Sequence, residues 1–342
     1  MARPTINDLA DAAGVSVSTV NRVLTGSTNV RRPTMDLVRD AAERIGFYGL
    51  GTIQAQLVVK KTHLKFGFLL HQSTRTFYKN MGLALQAETR SSTLYEIEPV
   101  IVHADDLSPQ YLASKLLELG ETCQSVAVVA AVHPIISQAV DALMQRNVPV
   151  VALISQLAAT GSVSYVGPDN WKAGRMAAWA VANLSKSPGK VGILVGNHRY
   201  RCQEMNESGF RSYFREHAPD FTLLEPLSTF ETSAVAEEMT EKLLNENPDI
   251  KGLFVAGGGI SGAMNALRAS GRAEKIITVA HQLMDNTRGG LLDGTITMVL
   301  HDPLDKLAQE ALAIMIRSCT NPEERGRTTV VLPFEIYTRE NI

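Results

Sequence analysis

The chain has 342 residues, 45% of them hydrophobic, with 33 basic and 35 acidic side chains and a formal net charge of −2. That length implies more than one domain and a large core, and the charge balance excludes a protein that is basic throughout. No apolar run is long enough to cross a bilayer and no signal peptide is read. Cys123, Cys202 and Cys319 are scattered and make no metal-spaced pair, so a reducing cytoplasm is the expected setting and no metal or cofactor is expected. The charge is uneven. Residues 1–61 hold eight basic against five acidic side chains, a net of +3, which leaves −5 for the remainder. A basic head on an acidic body suits phosphate contact at one end only.

The first 24 residues read as helix, tight turn, helix. Thr5 caps the first helix and Asp8 puts negative charge in its first turn. Ile6, Leu9, Ala10 and Ala13 share one face, and Gly14 supplies the positive φ that ends the helix. Ser16 caps a second helix with Val20, Val23 and Leu24 turned inward, which leaves Val17, Ser18, Asn21 and Arg22 facing out. Small and polar outward residues fit a DNA groove: Asn and Arg read base edges, while Ser and Thr suit phosphates or bases. Thr5, Val17, Ser18, Thr19, Asn21, Arg22 and Asn29 are the expected DNA-facing set in this segment. A third helix follows Pro33, with an apolar stripe of Leu37, Val38, Ala41, Ala42 and Ile45, and Gly46 ends it.

The run T-I-x-D-L-A-x-x-A-G-V-S-x-x-T-V-x-R-V-L, followed by Gly26, Val30, Thr34, Ala41 and Ile45-Gly46-Phe47, resembles the lactose-repressor/galactose-repressor (LacI/GalR) family of bacterial transcription factors. The departures bear on operator preference: Asn21 stands where the family usually has Ser, Thr25 replaces a usual Asn, and Arg31-Arg32 precede the third helix. The resemblance implies a helix-turn-helix domain at 1–47, a hinge at 48–63 and a two-lobed effector-binding and dimerisation domain at 64–342. The hinge match is weaker. Gly49-Leu50-Gly51 stands without the family's usual proline, and Leu57 is the candidate minor-groove wedge.

From residue 64 onward strands and helices alternate. Strands are expected at 64–70, 97–102, 125–131, 148–154, 190–195, 222–226, 252–256 and 275–280, with another near 164–167 and helices between them. This α/β pattern makes parallel-sheet lobes with a ligand between them. It resembles the sugar-binding module of these repressors and of periplasmic sugar receptors. Lobe 1 is expected over about 64–163 and 297–325, and lobe 2 over about 164–296 and 326–342.

Ligand residues are placed where strand ends meet the cleft. Phe77 and Tyr78 sit where the family has an aromatic pair, and rings stack on apolar sugar faces. Ser155 and Gln156 replace a usual charged clamp. Asn206 stands at the spacing before Gly209-Phe210 where relatives often have Arg, with Arg201 and Glu204 as substitutes upstream. Phe230 is a second candidate stacking aromatic. His281 and Gln282 replace a usual Asp, and His301 and Asp302 lie near the last crossover. These replacements point to a ligand other than a plain sugar, such as a sugar derivative or a sugar acid.

The run Gly257-Gly258-Gly259-Ile260-Ser261-Gly262 fits G-x-G-x-x-G after an apolar strand, the pattern that cradles a dinucleotide. The acidic ribose contact about twenty residues on is replaced by His281-Gln282. The run reads better as cleft lining, with Gly258 offering a free N–H to an anionic or carbonyl oxygen and Ser261 as a helix cap. No nucleophile–base or carboxylate-pair pattern is seen, so no catalytic site is expected. The sequence therefore reads as a DNA-binding transcriptional regulator. It is expected to be a repressor that binds a near-palindromic operator as a homodimer under control of a small sugar-like or sugar-acid metabolite. The alternatives are a free-standing solute receptor and a nucleotide-dependent enzyme.

Overall fold

The computed structural model describes residues 3–25, 30–51, 53, 62–321, 323 and 326–342. The expected DNA contacts Asn29 and Leu57 lie outside the described residues. The chain forms two compact units, Met1–Thr62 and His63–Ile342.

The first unit holds α1 (Ile6–Ala13), α2 (Val17–Leu24) and α3 (Arg32–Ile45). Thr5 caps α1 in a reciprocal capping box with Asp8, and Gly14 closes the helix in the left-handed region at φ 65°. The Ser16 hydroxyl accepts the Thr19 N–H at 3.2 Å and starts α2. Gly46, φ 67°, ends α3. The core is Leu9, Ala10, Val20, Val23, Val38, Ala41, Ala42, Phe47 and Ile53. One member of the expected stripe departs from it: Leu37 is 55% exposed, and Met35 packs against the core instead.

The second unit is two α/β lobes. Lobe 1 contains β1 (Thr62–His71), α4 (Thr76–Ser91), β2 (Tyr95–Ala104), α5 (Pro109–Thr122), β3 (Ser125–Val128), α6 (Pro134–Gln145), β4 (Val150–Leu153) and β5 (Ser164–Pro168). Lobe 2 follows with α7 (Asn170–Leu184), β6 (Lys190–Val195), α8 (Arg201–His217), β7 (Thr222–Leu223), β8 (Leu227–Ser228), α9 (Ser233–Glu246), β9 (Ile250–Val255), α10 (Ile260–Ala269), β10 (Ile277–His281), α11 (Asp285–Leu292) and β11 (Met298–His301). The chain then returns to lobe 1 for α12 (Leu304–Thr320) and β12 (Thr329–Leu332), and ends in lobe 2 with β13 (Glu335–Tyr337).

The sheet orders are β12-β5-β4-β3-β1-β2 and β13-β11-β10-β9-β6-β7, with β8 also on β6. The β11–β13 pair is antiparallel. Three crossovers therefore connect the lobes, after β5, after β11 and after β12, and each falls several residues later than the sequence suggested. Ser164–Pro168 belongs to lobe 1 because it pairs in parallel with Val150–Leu153, and it carries Thr329–Leu332 on its other edge. Met298–His301 belongs to lobe 2 because it pairs with β10. Of the strand expected at 222–226 only β7 forms, and β8 follows just beyond it.

The lobe 1 core packs Phe66, Phe68 and Leu70 against Leu307, Ala311, Leu312 and Met315 of α12. In lobe 2, Phe210 stacks on Phe254 with centroids 5.0 Å apart. Helices α7 and α8 cross at glycines. A Cβ on Gly174 would lie 1.9 Å from the Asn206 carbonyl oxygen, and one on Gly209 would lie 2.0 Å from that of Trp171. This close approach fixes the face of α8 that points at the cleft.

Candidate DNA-reading face and ligand cleft

On α2 the inward residues Val20 and Val23 are fully buried, while Val17 is 40% exposed and Ser18, Asn21 and Arg22 are exposed. Thr19 is half-buried, with its hydroxyl 2.8 Å from that of Ser16. The Thr5 side chain is held by Asp8, 2.7 Å away. Thr5 and Thr19 thus shape the backbone, and the exposed polar edge of the helix is Asn21 and Arg22 with Ser18, whose hydroxyl lies 2.9 Å from that of Ser16.

The carboxyl ends of the parallel strands in both lobes meet around a cavity of about 320 Å³, where ligands bind in open α/β sheets. Eight of the expected ligand residues line it: Phe77, Tyr78, Ser155, Asn206, Gly258, His281, Gln282 and Asp302. Five do not. Gln156 is exposed beyond Ser155. Arg201 and Glu204 pair with each other at 2.9 Å on the outer face of α8. Phe230 is 70% exposed. His301 turns to the backbone, 3.2 Å from the Leu283 N–H, and against the Tyr337 ring.

The aromatic wall comes from the first turn of α4. Phe77 and Tyr78 meet edge to face at 5.1 Å, and Tyr78 packs 4.5 Å from the His71 ring. Across the cleft the Tyr200 hydroxyl lies 3.1 Å from His71 Nε2. Burial, helped by the nearby Arg75 charge, lowers the His71 pKa to about 4. Burial lowers that of His281 to about 4 as well, so both rings are neutral at pH 7. Burial raises the Asp302 pKa to about 6 against the Gln282 hydrogen bond that favours the carboxylate. Gln282 Nε2 donates to Asp302 at 2.6 Å.

Sequence reading missed Arg75, Gln203 and Glu231, which line the cavity. Arg75 Nη2 meets Glu231 at 2.5 Å. Gln203 Oε1 accepts from the Gly196 and Asn197 amides at 2.7 and 3.0 Å, and its Nε2 donates to Glu231 at 2.6 Å. The Gly258 N–H, expected to be open to a ligand oxygen, is held by Glu231 at 3.2 Å. A helical-phase signal for Gln203 was present. Gln203 and Asn206 stand seven and four residues before the core residue Phe210, whereas Arg201 and Glu204 are out of phase.

The glycine run serves this network. A Cβ on Gly258 would lie 2.1 Å from Arg75 Nη2, and one on Gly257 would lie 2.3 Å from the Gly196 amide nitrogen. A Cβ on Gly262 would lie 1.8 Å from the Ser233 carbonyl oxygen where α10 packs on α9. Gly259, φ 100°, is the residue that caps α10. Ser261 lies inside the helix, not at its cap, and accepts from Asn286 at 2.9 Å.

Strain also gathers at the cavity. Of the non-glycine residues with positive φ, Ile154, Glu231 and Gln282 line it, as expected of a site that packing over-determines. Asn206 Oδ1, His281 Nε2 and Arg75 Nη1 are buried there without a hydrogen-bond partner. Such groups destabilise a fold unless something meets them.

A helix-turn-helix unit with a polar helix edge, carried on the same chain as a receptor with a cleft of this kind, defines a DNA-binding regulator that senses a small molecule. Residues 5–49 match the bacterial regulatory proteins of the lacI family, and residues 110–322 match the periplasmic binding protein domain. The chain thus joins a lacI-family helix-turn-helix domain to a domain that belongs to the periplasmic binding protein family. It is 26% identical over 282 residues to the sucrose operon repressor of Streptococcus mutans, covering 81% of this chain and 80% of that protein. It is 25% identical to catabolite control protein A of Priestia megaterium, covering 98% of each. A D-ribose/D-allose-binding protein of Pseudomonas aeruginosa is 26% identical over 219 residues, 61% of this chain and 66% of that protein. In fold, a solute-binding protein from Agrobacterium vitis bound with α-D-tagatopyranose superposes with a TM-score of 0.74 at 18% identity, over 81% of this chain and 95% of the other. Among the described residues no helix is long and apolar enough to cross a membrane.

Proposed function

We propose that the chain represses a carbohydrate-related operon in the cytoplasm. In this reading it binds a near-palindromic operator as a homodimer and is controlled by a small uncharged sugar-like effector. The observation that carries the proposal is the set of orphaned buried groups, Asn206 Oδ1, His281 Nε2 and Arg75 Nη1, around a cavity that also offers the Phe77 and Tyr78 rings. Donors and acceptors on opposite walls beside an aromatic face match a ring bearing several hydroxyls, each of which both donates and accepts. The sugar operon named for one relative and the sugars named for others support this class.

The charge balance supports the sugar-like over the sugar-acid effector, and in this the proposal departs from the sequence expectation of a ligand other than a plain sugar. Arg75 is already paired with Glu231, and Asp302 stands in the same cavity with an amide as its partner. An acidic ligand would face two carboxyl groups and no spare cation among the described lining residues. A cavity of about 320 Å³ is at the small end of the roughly 300–1,000 Å³ typical of ligand sites. That favours one ring over a disaccharide.

The chain acts in this reading by binding, not turnover. The thiol in the cavity, Cys202, is pushed up to about 12 by burial and stays protonated, unsuited to nucleophilic attack. Lobe movement changes the affinity of the heads for operator DNA, and linkage requires the reciprocal change in effector affinity. The test is a thermal-shift screen of neutral monosaccharides beside their aldonic acids, followed by operator titration with each hit. The proposal requires a neutral hit that changes operator affinity. Stabilisation by acids alone, or steady consumption of a hit by pure protein, refutes it.

A further inference from the structure

Of the ion pairs between described residues, Arg75–Glu231 is the one that crosses the cleft. Arg75 caps α4 of lobe 1, and Glu231 lies in lobe 2 between β8 and α9. The pair is 2.5 Å long and its side chains are 23% and 12% exposed. The Glu231 carboxylate has two more donors, Gln203 Nε2 at 2.6 Å and the Gly258 amide at 3.2 Å. A cation, a side-chain amide and a backbone N–H beside the start of a helix form a receptor for a carboxylate.

The local sequence is arranged around that carboxylate. Gly196 leaves the space it occupies: a Cβ there would lie 1.8 Å from Glu231 Oε1. Phe230 and Glu231 both hold positive φ, 48° and 63°. This strained turn leaves Phe230 70% exposed while the carboxylate enters the cleft. Arg75 keeps a second nitrogen, Nη1, buried without a partner. Burial works against the Arg75 charge, but its neighbours, Glu231 among them, outweigh it, so the guanidinium stays charged opposite that carboxylate.

We infer that Glu231 is a tethered ligand of this cleft: its carboxylate fills an anion site built from both lobes, holds them together through Arg75, and closes that site to free carboxylates. The inference rests on this geometry and on no particular effector. Its test uses neither sugar nor DNA, so its failure is separable from failure of the regulator reading.

The experiment takes the full chain and its Glu231→Ala variant through small-angle scattering and thermal melts, with and without sodium formate. Glu231→Ala is expected to be less compact than wild type and to melt about 5 °C lower, because a half-buried arginine has lost its partner. Formate at about 50 mM should restore compactness and melting temperature by mass action, while sodium chloride at equal ionic strength should not. Wild type should ignore formate, and a variant that also carries Arg75→Gln should not be rescued. Glu231→Gln, which keeps the side-chain volume, should be less compact than wild type and indifferent to formate. Its scattering decides the matter where the alanine variant does not fold. Scattering from both variants that superposes on wild type overturns the inference, as does a formate response shared equally by wild type and Glu231→Ala.

Discussion

Asp302→Asn separates what the cleft is built for from what stabilises it. Asp302 is 5% exposed and its partner is Gln282 Nε2 at 2.6 Å, a bond that the asparagine oxygen preserves. Burial moves its pKa from 3.8 to about 6. At about 1.4 kcal/mol per unit, the folded state is penalised by about 3 kcal/mol once the group is ionised in both states. The sign follows from the raised folded value. Below about pH 4 the carboxyl is protonated in folded and unfolded chains alike and no penalty exists. Between about pH 4 and 6 the unfolded chain ionises first, so stability is lost as pH rises. The variant should therefore match wild type near pH 3.5 and exceed it by up to about 3 kcal/mol at pH 7.5, a gain in melting temperature of about 5–10 °C. His71 and His281, both lowered to about 4, add stability that is present above pH 6.5 and lost as pH falls through about 4. They are common to both proteins and cancel in the difference. The assay is thermal unfolding of both proteins across pH 3.5–7.5. A pH-independent difference, or a variant less stable at pH 7.5, refutes the reasoning.

Arg22→Ala should weaken specific operator binding by about 1–3 kcal/mol in a gel-shift titration and leave the melting of the receptor unit unchanged. Equal operator affinity would remove Arg22 from the reading edge. Gly209→Ala places a Cβ 2.0 Å from the Trp171 carbonyl oxygen, so α7 and α8 must separate, at about 1–3 kcal/mol. An unchanged thermal melt would deny the close crossing that aims Gln203 and Asn206. Phe230→Ser should change stability by less than about 0.5 kcal/mol and leave effector affinity intact by calorimetry. A marked loss of affinity would return Phe230 to the site.

How much was legible in the sequence depended on how local the determinant was. The head could be read because its signals act within one turn: Thr5 with Asp8, Gly14 after α1, Ser16 before α2 and Gly46 after α3. Leu37 misled because a helix stripe defined by apolar residues alone cannot tell which edge the core covers. The strand ends were legible from apolar runs and placed eight of the expected ligand residues on the cavity. The lobe boundaries were not. Ser164–Pro168 joins lobe 1 by pairing with Val150–Leu153 and in turn seats Thr329–Leu332, more than 160 residues on, and an apolar run does not say which strand it will pair with. Glu231 was missed in favour of its neighbour because two successive positive φ values reverse which side chain enters the cleft. The glycine run resembled a phosphate loop, but its missing side chains make room for Arg75 and for the packing of α10 on α9.

The most direct test is to select fragments from random duplex DNA with the purified full chain, and then to titrate the winning sequence in the presence of each neutral monosaccharide that stabilises the protein. The account predicts a two-fold-related sequence bound at least about a thousandfold more tightly than unrelated DNA, with an affinity that one such sugar changes and Arg22→Ala lowers. Recovery of no preferred sequence, or of one whose affinity no stabilising sugar alters, would contradict it.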